Sequence, residues 1–358
     1  MPTHGMISYR AHLTAHDLRR RFPMMIDQLK FEARTTKRRW IVGATRCALP
    51  LLLAGVALPA VAQNKNAYVA NEDSNTVSVI SAANAVATTI PVGDIPTAVA
   101  VSPNGKEVYV ANSGDNNVTV IDAATNTVSA TVPVQNTPAA IAISPNGAYA
   151  YVGNTESGSI SVINTATNAV AATVAVGNNP AAIAVSPDGS HVYVANEQDS
   201  TVSVINAATN TVSATVAVGT NPFGIAVGPF GQQVYVANFG SNNVSVINTQ
   251  SNTVTATYAA GNGANAVAVG ALGARIFVAN FNDNTVSILN AVNGKLLATV
   301  PVGSSPQSEA VSSDGTRLYT ANIDSGNVSV INTLNDQVTA TVDVGLSPAA
   351  VATQSGCP

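Results

Sequence analysis

The chain is poor in the residues that carry most protein chemistry. Its 358 residues hold two cysteines, four histidines and one tryptophan. Charged residues make up only 9% and aromatics 5%. Two cysteines, Cys47 and Cys357, cannot build a disulfide framework or a cysteine-rich zinc site. Beyond residue 62 the only histidine is His191. One histidine and one tail cysteine do not make a zinc or copper site, so no metal is expected. Trp40 is the only tryptophan, which disfavours a quinone-type cofactor. No cofactor of any kind is expected. Low charge combined with 46% apolar residues argues against a disordered chain. The apolar run 47–59 has 13 residues. That falls short of the about 20 a membrane-spanning helix needs.

Charge is unevenly spread. Residues 1–62 carry ten Lys/Arg against three acids, a balance of +7, whereas residues 63–358 carry five against sixteen, a balance of −11. Lys37-Arg38-Arg39 is a basic flank, residues 47–59 an apolar core, and Ala60-Val61-Ala62 a small-x-small cleavage site. That order is the order of a secretory signal peptide. Residues 1–62 are therefore expected to be removed and residues 63–358 to form the mature domain. The protein is expected in the periplasm, outside the cell or on its surface, with no transmembrane anchor after removal. Trp40-Ile41 follows Arg38-Arg39 in place of the usual twin-arginine continuation, so both export routes stay open. Translation from Met24 or Met25 would give a signal of more ordinary length. Removal takes Cys47 away and leaves Cys357 alone, so no internal disulfide is expected. Arg46 precedes Cys47 outside any lipoprotein pattern.

What the chain has in abundance is one phrase. Tyr109-Val110-Ala111-Asn112 recurs at Tyr68 to Asn71, Tyr151 to Asn154, Tyr193 to Asn196, Tyr235 to Asn238, Phe277 to Asn280 and Tyr319 to Asn322. The closing asparagines step by 41 residues once and then by 42. A fixed period of this size means a repeat architecture. Within residues 180–219, four β-rich runs at 182–186, 192–196, 201–206 and 211–218 are separated by turn signals. Ser186-Pro187-Asp188-Gly189 is a hairpin turn, with glycine supplying the positive φ. Four short antiparallel strands per repeat make a propeller blade. Large Ile183 and Val185 alternate with small Ala182 and Ala184, which suits blades buried on both faces. The first repeat begins at its second strand, and residues 347–353 supply a first strand with nothing after it. The C-terminal strand should therefore complete the first blade. The predicted fold is all-β: a seven-bladed propeller of four-stranded antiparallel blades, 28 strands in all.

The Tyr-Val-x-Asn phrase, with Ser-Pro-Asp/Asn-Gly before it and Val-Ser-Val-Ile-Asn after it, resembles the YVTN β-propeller family over about residues 66–353. The resemblance implies an exported bacterial or archaeal protein, periplasmic or on the cell surface. Some members of that family look like surface-layer components, and some periplasmic ones are linked to nucleic acid. The family offers no shared catalytic residue to carry across.

Most candidate chemistry reduces to structure. His191 occupies a slot filled elsewhere by Asn66, Glu107, Tyr149, Gln233, Arg275 and Arg317, which reads as an exposed strand position. The seven motif asparagines are expected to close turns by bonding nearby backbone. In the loops after them Asp73, Asp115, Glu156, Asp199, Asp283 and Asp324 recur, with Ser241 in the fifth repeat. One or two acids per loop is too few for calcium, and their role reads as solvation. An acidic rim also repels polyanions.

Positions that break the repeat are more informative. The first strand opens Pro-Thr97, Pro-Ala139, Pro-Ala181, Pro-Phe223, Ala-Asn265, Pro-Gln307 and Pro-Ala349. Two residues on come Val99, Ile141, Ile183, Ile225, Val267, Glu309 and Val351. A carboxylate in an aliphatic slot needs a partner. Phe223, Asn265, Gln307 and Glu309, from three consecutive blades, are expected to line one side of the channel at its top, the end shared by the second-to-third and fourth-to-first strand loops. Phe239 and Phe281 are aromatic outliers in the neighbouring top loops. These six are the candidate ligand-binding residues, and no catalytic residue is singled out.

The leading expectation is a non-enzymatic, exported, monomeric propeller that binds a protein, glycan or small-molecule partner at its top face. A lactonase-like hydrolase or lyase is the alternative. A nucleic-acid binder is another, opposed by the −11 balance and the lack of a basic run. A surface-layer or adhesion component is a third.

Overall fold

The computed structural model describes residues 66–354. The basic flank, apolar run and cleavage site within residues 37–62, together with Cys357, lie outside the described residues. Among the described residues no helix is long and apolar enough to cross a membrane.

Turn chemistry sets each blade. At the hairpin of the fourth blade Gly189 takes φ +72, and its N–H donates to the Ser186 carbonyl at 2.8 Å. At the opposite hairpin Asn210 takes φ 53, and its N–H donates to the Asn206 carbonyl at 2.9 Å. The Asn206 side chain accepts from the Ala208 N–H at 2.9 Å, an Asx turn. Between such turns the Val-rich runs pair as antiparallel ladders.

The result is seven four-stranded antiparallel sheets, as the repeat predicts. Blade 1 joins Ala67–Asn71, Thr76–Ile80 and Val86–Pro91 to the C-terminal strand Pro348–Thr353. In that blade Val351 lies opposite Val69 across the ladder. The ring is thus closed by exchange between the two ends of the propeller. The inner strands Pro96–Val101, Pro138–Ile143, Pro180–Val185, Pro222–Val227, Ala264–Val269 and Pro306–Val311 open blades 2 to 7. Among the described residues one 3-10 turn, Glu72–Ser74, interrupts the all-β pattern.

The core lies between blades. Tyr193, Ala195, Val202 and Val204 of blade 4 pack against Ile225, Val234, Val236 and Ile247 of blade 5. The motif aromatics Tyr68, Tyr109, Tyr151, Tyr193, Tyr235 and Phe277 are fully buried. Each such side chain contributes about 1.5–3 kcal/mol by leaving water. Burial, and then nearby Tyr258, pushes the Tyr235 hydroxyl up to about 12. That hydroxyl stays protonated and structural.

Inner strands start two residues earlier than the sequence suggests, at Pro180 rather than 182 in blade 4. Proline is tolerated there because it is the first residue of an edge strand. A further feature was not predicted. Pro180 pairs with Asn196 and Ala182 with Ala195, so Ala181 is the extra residue of a β-bulge. The same bulge recurs in all seven blades. Bulges re-aim a side chain away from the ladder.

Candidate functional site

The seven bulge residues ring the top mouth of a central cavity of about 260 Å³. Each inner strand gives this cavity three consecutive residues, the bulge residue first. Blades 1, 3 and 4 place Ala349, Ala139 and Ala181 at the bulge, and blade 2 places Thr97. Blades 5, 6 and 7 place Phe223, Asn265 and Gln307 there. These three neighbours are brought together as the sequence predicts.

Their contacts run across blades. The Phe223 and Phe239 rings lie 6.3 Å apart, and Phe239 meets Phe281 edge-on at 6.0 Å. Edge contacts of this kind suit the quadrupoles of aromatic rings. Of the three only Phe223 belongs to the cavity wall; Phe239 and Phe281 stand in the adjoining loops. Asn265 is buried, and its Nδ2 donates to the Gln307 carbonyl at 2.7 Å, joining blade 6 to blade 7. Gly224 replaces the small residue after the bulge. A Cβ there would come within 2.6 Å of the Asn265 carbonyl oxygen, so blades 5 and 6 approach more closely than alanine allows.

Glu309 is the most unusual wall residue. The residue is half-buried at the channel wall, and both carboxylate oxygens are closed off from solvent and have no hydrogen-bond partner. Burial alone raises its carboxyl well above the ordinary value. Its neighbour across the ladder is Thr320, whose buried hydroxyl is also unpartnered. Thr320 fills the slot held by Val69, Val110, Val152, Val194, Val236 and Val278. An aliphatic pair is thus replaced by a polar pair on one sheet face. Ser308 breaks the pattern too, and its hydroxyl accepts from the Val351 N–H at 3.2 Å. Thr320, Ser308 and Gly224 were overlooked in the sequence. The signal was there, since Tyr319-Thr320-Ala321-Asn322 is the one phrase with a hydroxyl in second place.

The motif asparagines are structural, and they bond side chains as well as backbone. Asn196 Nδ2 donates to the Thr201 and Ser203 hydroxyls at 3.0 and 2.9 Å, and Asn71, Asn238, Asn280 and Asn322 bond the equivalent third-strand serines. A cross-strand side-chain ladder is common to them, and the Oδ1 atoms of Asn71 and Asn280 also accept the backbone N–H groups of Gly345 and Gly261. The loop acids divide into two slots. Asp115, Asp199 and Asp283 accept the N–H of Asp94, Asn178 and Asn262, a task Ser241 performs for Thr220. Asp73 and Asp324 accept from Ser347 and Ser305 hydroxyls instead. Their first role is to tie neighbouring loops. No group of three or more His, Cys, Asp or Glu able to hold a metal occurs among the described residues. His191 is half-buried rather than exposed, beside the Ser190 hydroxyl at the opposite, bottom end.

Among the described residues acids lie at both ends, with Glu107, Asp122, Asp188, Asp314 and Asp336 at the bottom, but cations lie at one end only. Glu72, Asp73, Asp115, Glu156, Glu197, Asp199, Asp283 and Asp324 sit in top loops, Asp94 in a top connector and Asp343 at the top end of an outer strand. Burial, and then Asp73, raises the Glu72 carboxyl. The cations Lys106, Arg275, Lys295 and Arg317 all lie at the bottom, so among the described residues the top has none. Arg275 is engaged there with Asp336 at 2.6 Å, and Arg317 with the Ala82 carbonyl at 3.0 Å.

A seven-bladed propeller of YVTN-type repeats, with a substituted channel mouth on an acidic face, is the class that fold and site define. The chain belongs to the YNCE-like β-propeller family, whose model matches residues 40–358. No curated protein matches the sequence. Among solved structures it is similar to Kuenenia stuttgartiensis hydrazine synthase, at 23% identity and TM-score 0.66 over 72% of this chain and 89% of that one. It is also similar to a functionally unknown protein from Desulfotomaculum acetoxidans DSM 771, at 18% identity and TM-score 0.72 over 81% of this chain and 99% of that one. At these identities the likeness speaks for the fold alone.

Proposed function

We propose that the protein is an exported, non-enzymatic propeller that binds its ligand through the top mouth of the central channel. One observation carries this reading. Three adjacent blades depart from the repeat at the same re-aimed bulge position, and the third adds to the same wall Glu309, whose unpartnered carboxylate is buried beside the channel. Random drift would scatter such changes around the ring. Polar groups converging on an otherwise apolar pocket are what ligand sites use for orientation. A cavity of about 260 Å³ suits a small molecule or a short projecting group, including one presented by a protein or glycan. No histidine, cysteine or lysine lines the cavity, and the Ser308 hydroxyl is engaged, so no nucleophile–base pair is assembled. The acidic top face opposes nucleic acid, whose affinity rests on phosphate contacts. Residues 1–62 support export to the periplasm or cell surface.

Two measurements test this. Sequencing the exported protein should find Gln63 at its N-terminus; retention of residues 38–59 would contradict export. Native mass spectrometry after exposure to a periplasmic extract should show a ligand on the wild type. The combined variant Phe223→Ala, Asn265→Ala, Gln307→Ala, Glu309→Val should capture none, and equal capture by both would contradict the site.

A further inference from the structure

We infer that the ligand of this channel mouth is a small organic cation, its ammonium group held between the Glu309 carboxylate and the Phe223 ring. This deepens the channel-mouth reading above and rests on it. The Glu309 oxygens have no partner and are closed off just behind the cavity wall, so the side chain turns into the channel to meet the ligand. No countercharge faces them from the packed elements. Asn265 of the blade 6 inner strand, and Ser308 and Thr320 of blade 7, are neutral. The blade 1 inner strand Pro348–Thr353 has no titratable residue. Arg275 and Arg317, on the second strands of blades 6 and 7, lie at the far end and are bonded there. A buried carboxylate so placed is costly unless it is protonated or meets a cation.

Three further features select the class. The top face carries carboxylates and no cation, so its field draws positive ligands toward the mouth. Phe223, steadied by Phe239 and Phe281, offers a ring face, and ammonium groups bind ring faces. The rest of the wall is mostly alanine, valine and isoleucine. One carboxylate among such residues falls short of the six to eight oxygens that calcium takes, and suits a cation with an apolar body.

Binding has a proton consequence. Free Glu309 holds its proton to higher pH than an ordinary carboxyl, because burial disfavours the charged form. The arriving cation displaces that proton to solvent. Affinity therefore rises with pH until free Glu309 is itself ionised.

The test is calorimetric titration of the purified protein with tetramethylammonium, with tert-butanol as a neutral probe of similar size and acetate as an anion. Tetramethylammonium should bind saturably, one per chain, at least about tenfold tighter than tert-butanol, and tighten by up to about tenfold per pH unit. Glu309→Gln should weaken it about tenfold or more and flatten the pH profile. Phe223→Ala, which restores the residue of three other blades, should weaken it several-fold and leave the pH dependence intact. If tert-butanol or acetate binds instead and Phe223→Ala removes that binding, the site stands and the cationic class falls. If tetramethylammonium shows no saturable binding, or binds Glu309→Gln equally well, the inference is overturned. The extract experiment then judges the site by itself.

Discussion

Blades 2 to 4 and blades 5 to 7 share one backbone and differ in what they place at the channel. Both halves have the same register, the same bulge and the same motif asparagine. In blades 3 and 4 the bulge carries alanine, so the geometry itself asks for nothing larger. In blades 5 to 7 it carries a phenyl ring and two amides, with a carboxylate two residues below the last. The comparison separates residues that build the ring from residues the ring merely displays. It also shows two coupled changes: Glu309 and Thr320 face each other where the other blades pair aliphatic residues.

Transplanting the anomaly into the regular half should have the largest effect. Val99 is the blade 2 counterpart of Glu309 and is 7% exposed. Val99→Glu buries a carboxylate against Val110 with no threonine opposite. It should cost about 3–5 kcal/mol in chemical denaturation, the usual cost of an uncompensated buried charge. A loss below about 1 kcal/mol would show that this slot accepts acids anywhere in the ring. Next is Gly224→Ala, which makes blade 5 resemble its neighbours. The new methyl meets the blade 6 backbone, so stability should fall by about 1–3 kcal/mol despite the restored repeat. The smallest effect belongs to Phe223→Ala. Phe223 is half-buried at the mouth, and its removal should shift stability by no more than about 1 kcal/mol. A large loss would place Phe223 in the core and end its candidacy as a displayed residue.

The sequence made the ring legible because each repeat carries its own turns. Gly189, Asn210 and the motif asparagines recur at fixed spacing, and unpaired strand types at the two ends implied closure. The clustering of Phe223, Asn265, Gln307 and Glu309 was legible for the same reason, since a departure shows only against a regular background. The bulge was not legible, because it leaves no residue-type signature: alanine, threonine, phenylalanine, asparagine and glutamine all occupy it. The Glu309–Thr320 pairing was hidden for another reason. The two residues lie 11 apart in the chain, and only the ladder register sets them opposite each other.

Glu309→Val tests most directly whether the irregular half is kept for binding. Urea denaturation and tetramethylammonium titration would be run on this variant and the wild type across pH. In the unfolded chain Glu309 titrates near its ordinary value of 4.5, whereas the folded chain holds the proton to higher pH. Wild-type stability should therefore carry a penalty that is absent below that value and grows as pH rises above it, up to the folded titration. The variant should be more stable by about 1–3 kcal/mol at neutral pH, with the gap closing toward acid. It should also lose ammonium binding, the exchange of stability for function expected of a displayed site. A variant equal to wild type in stability at every pH, or one that still binds tetramethylammonium, would contradict the functional reading of Glu309.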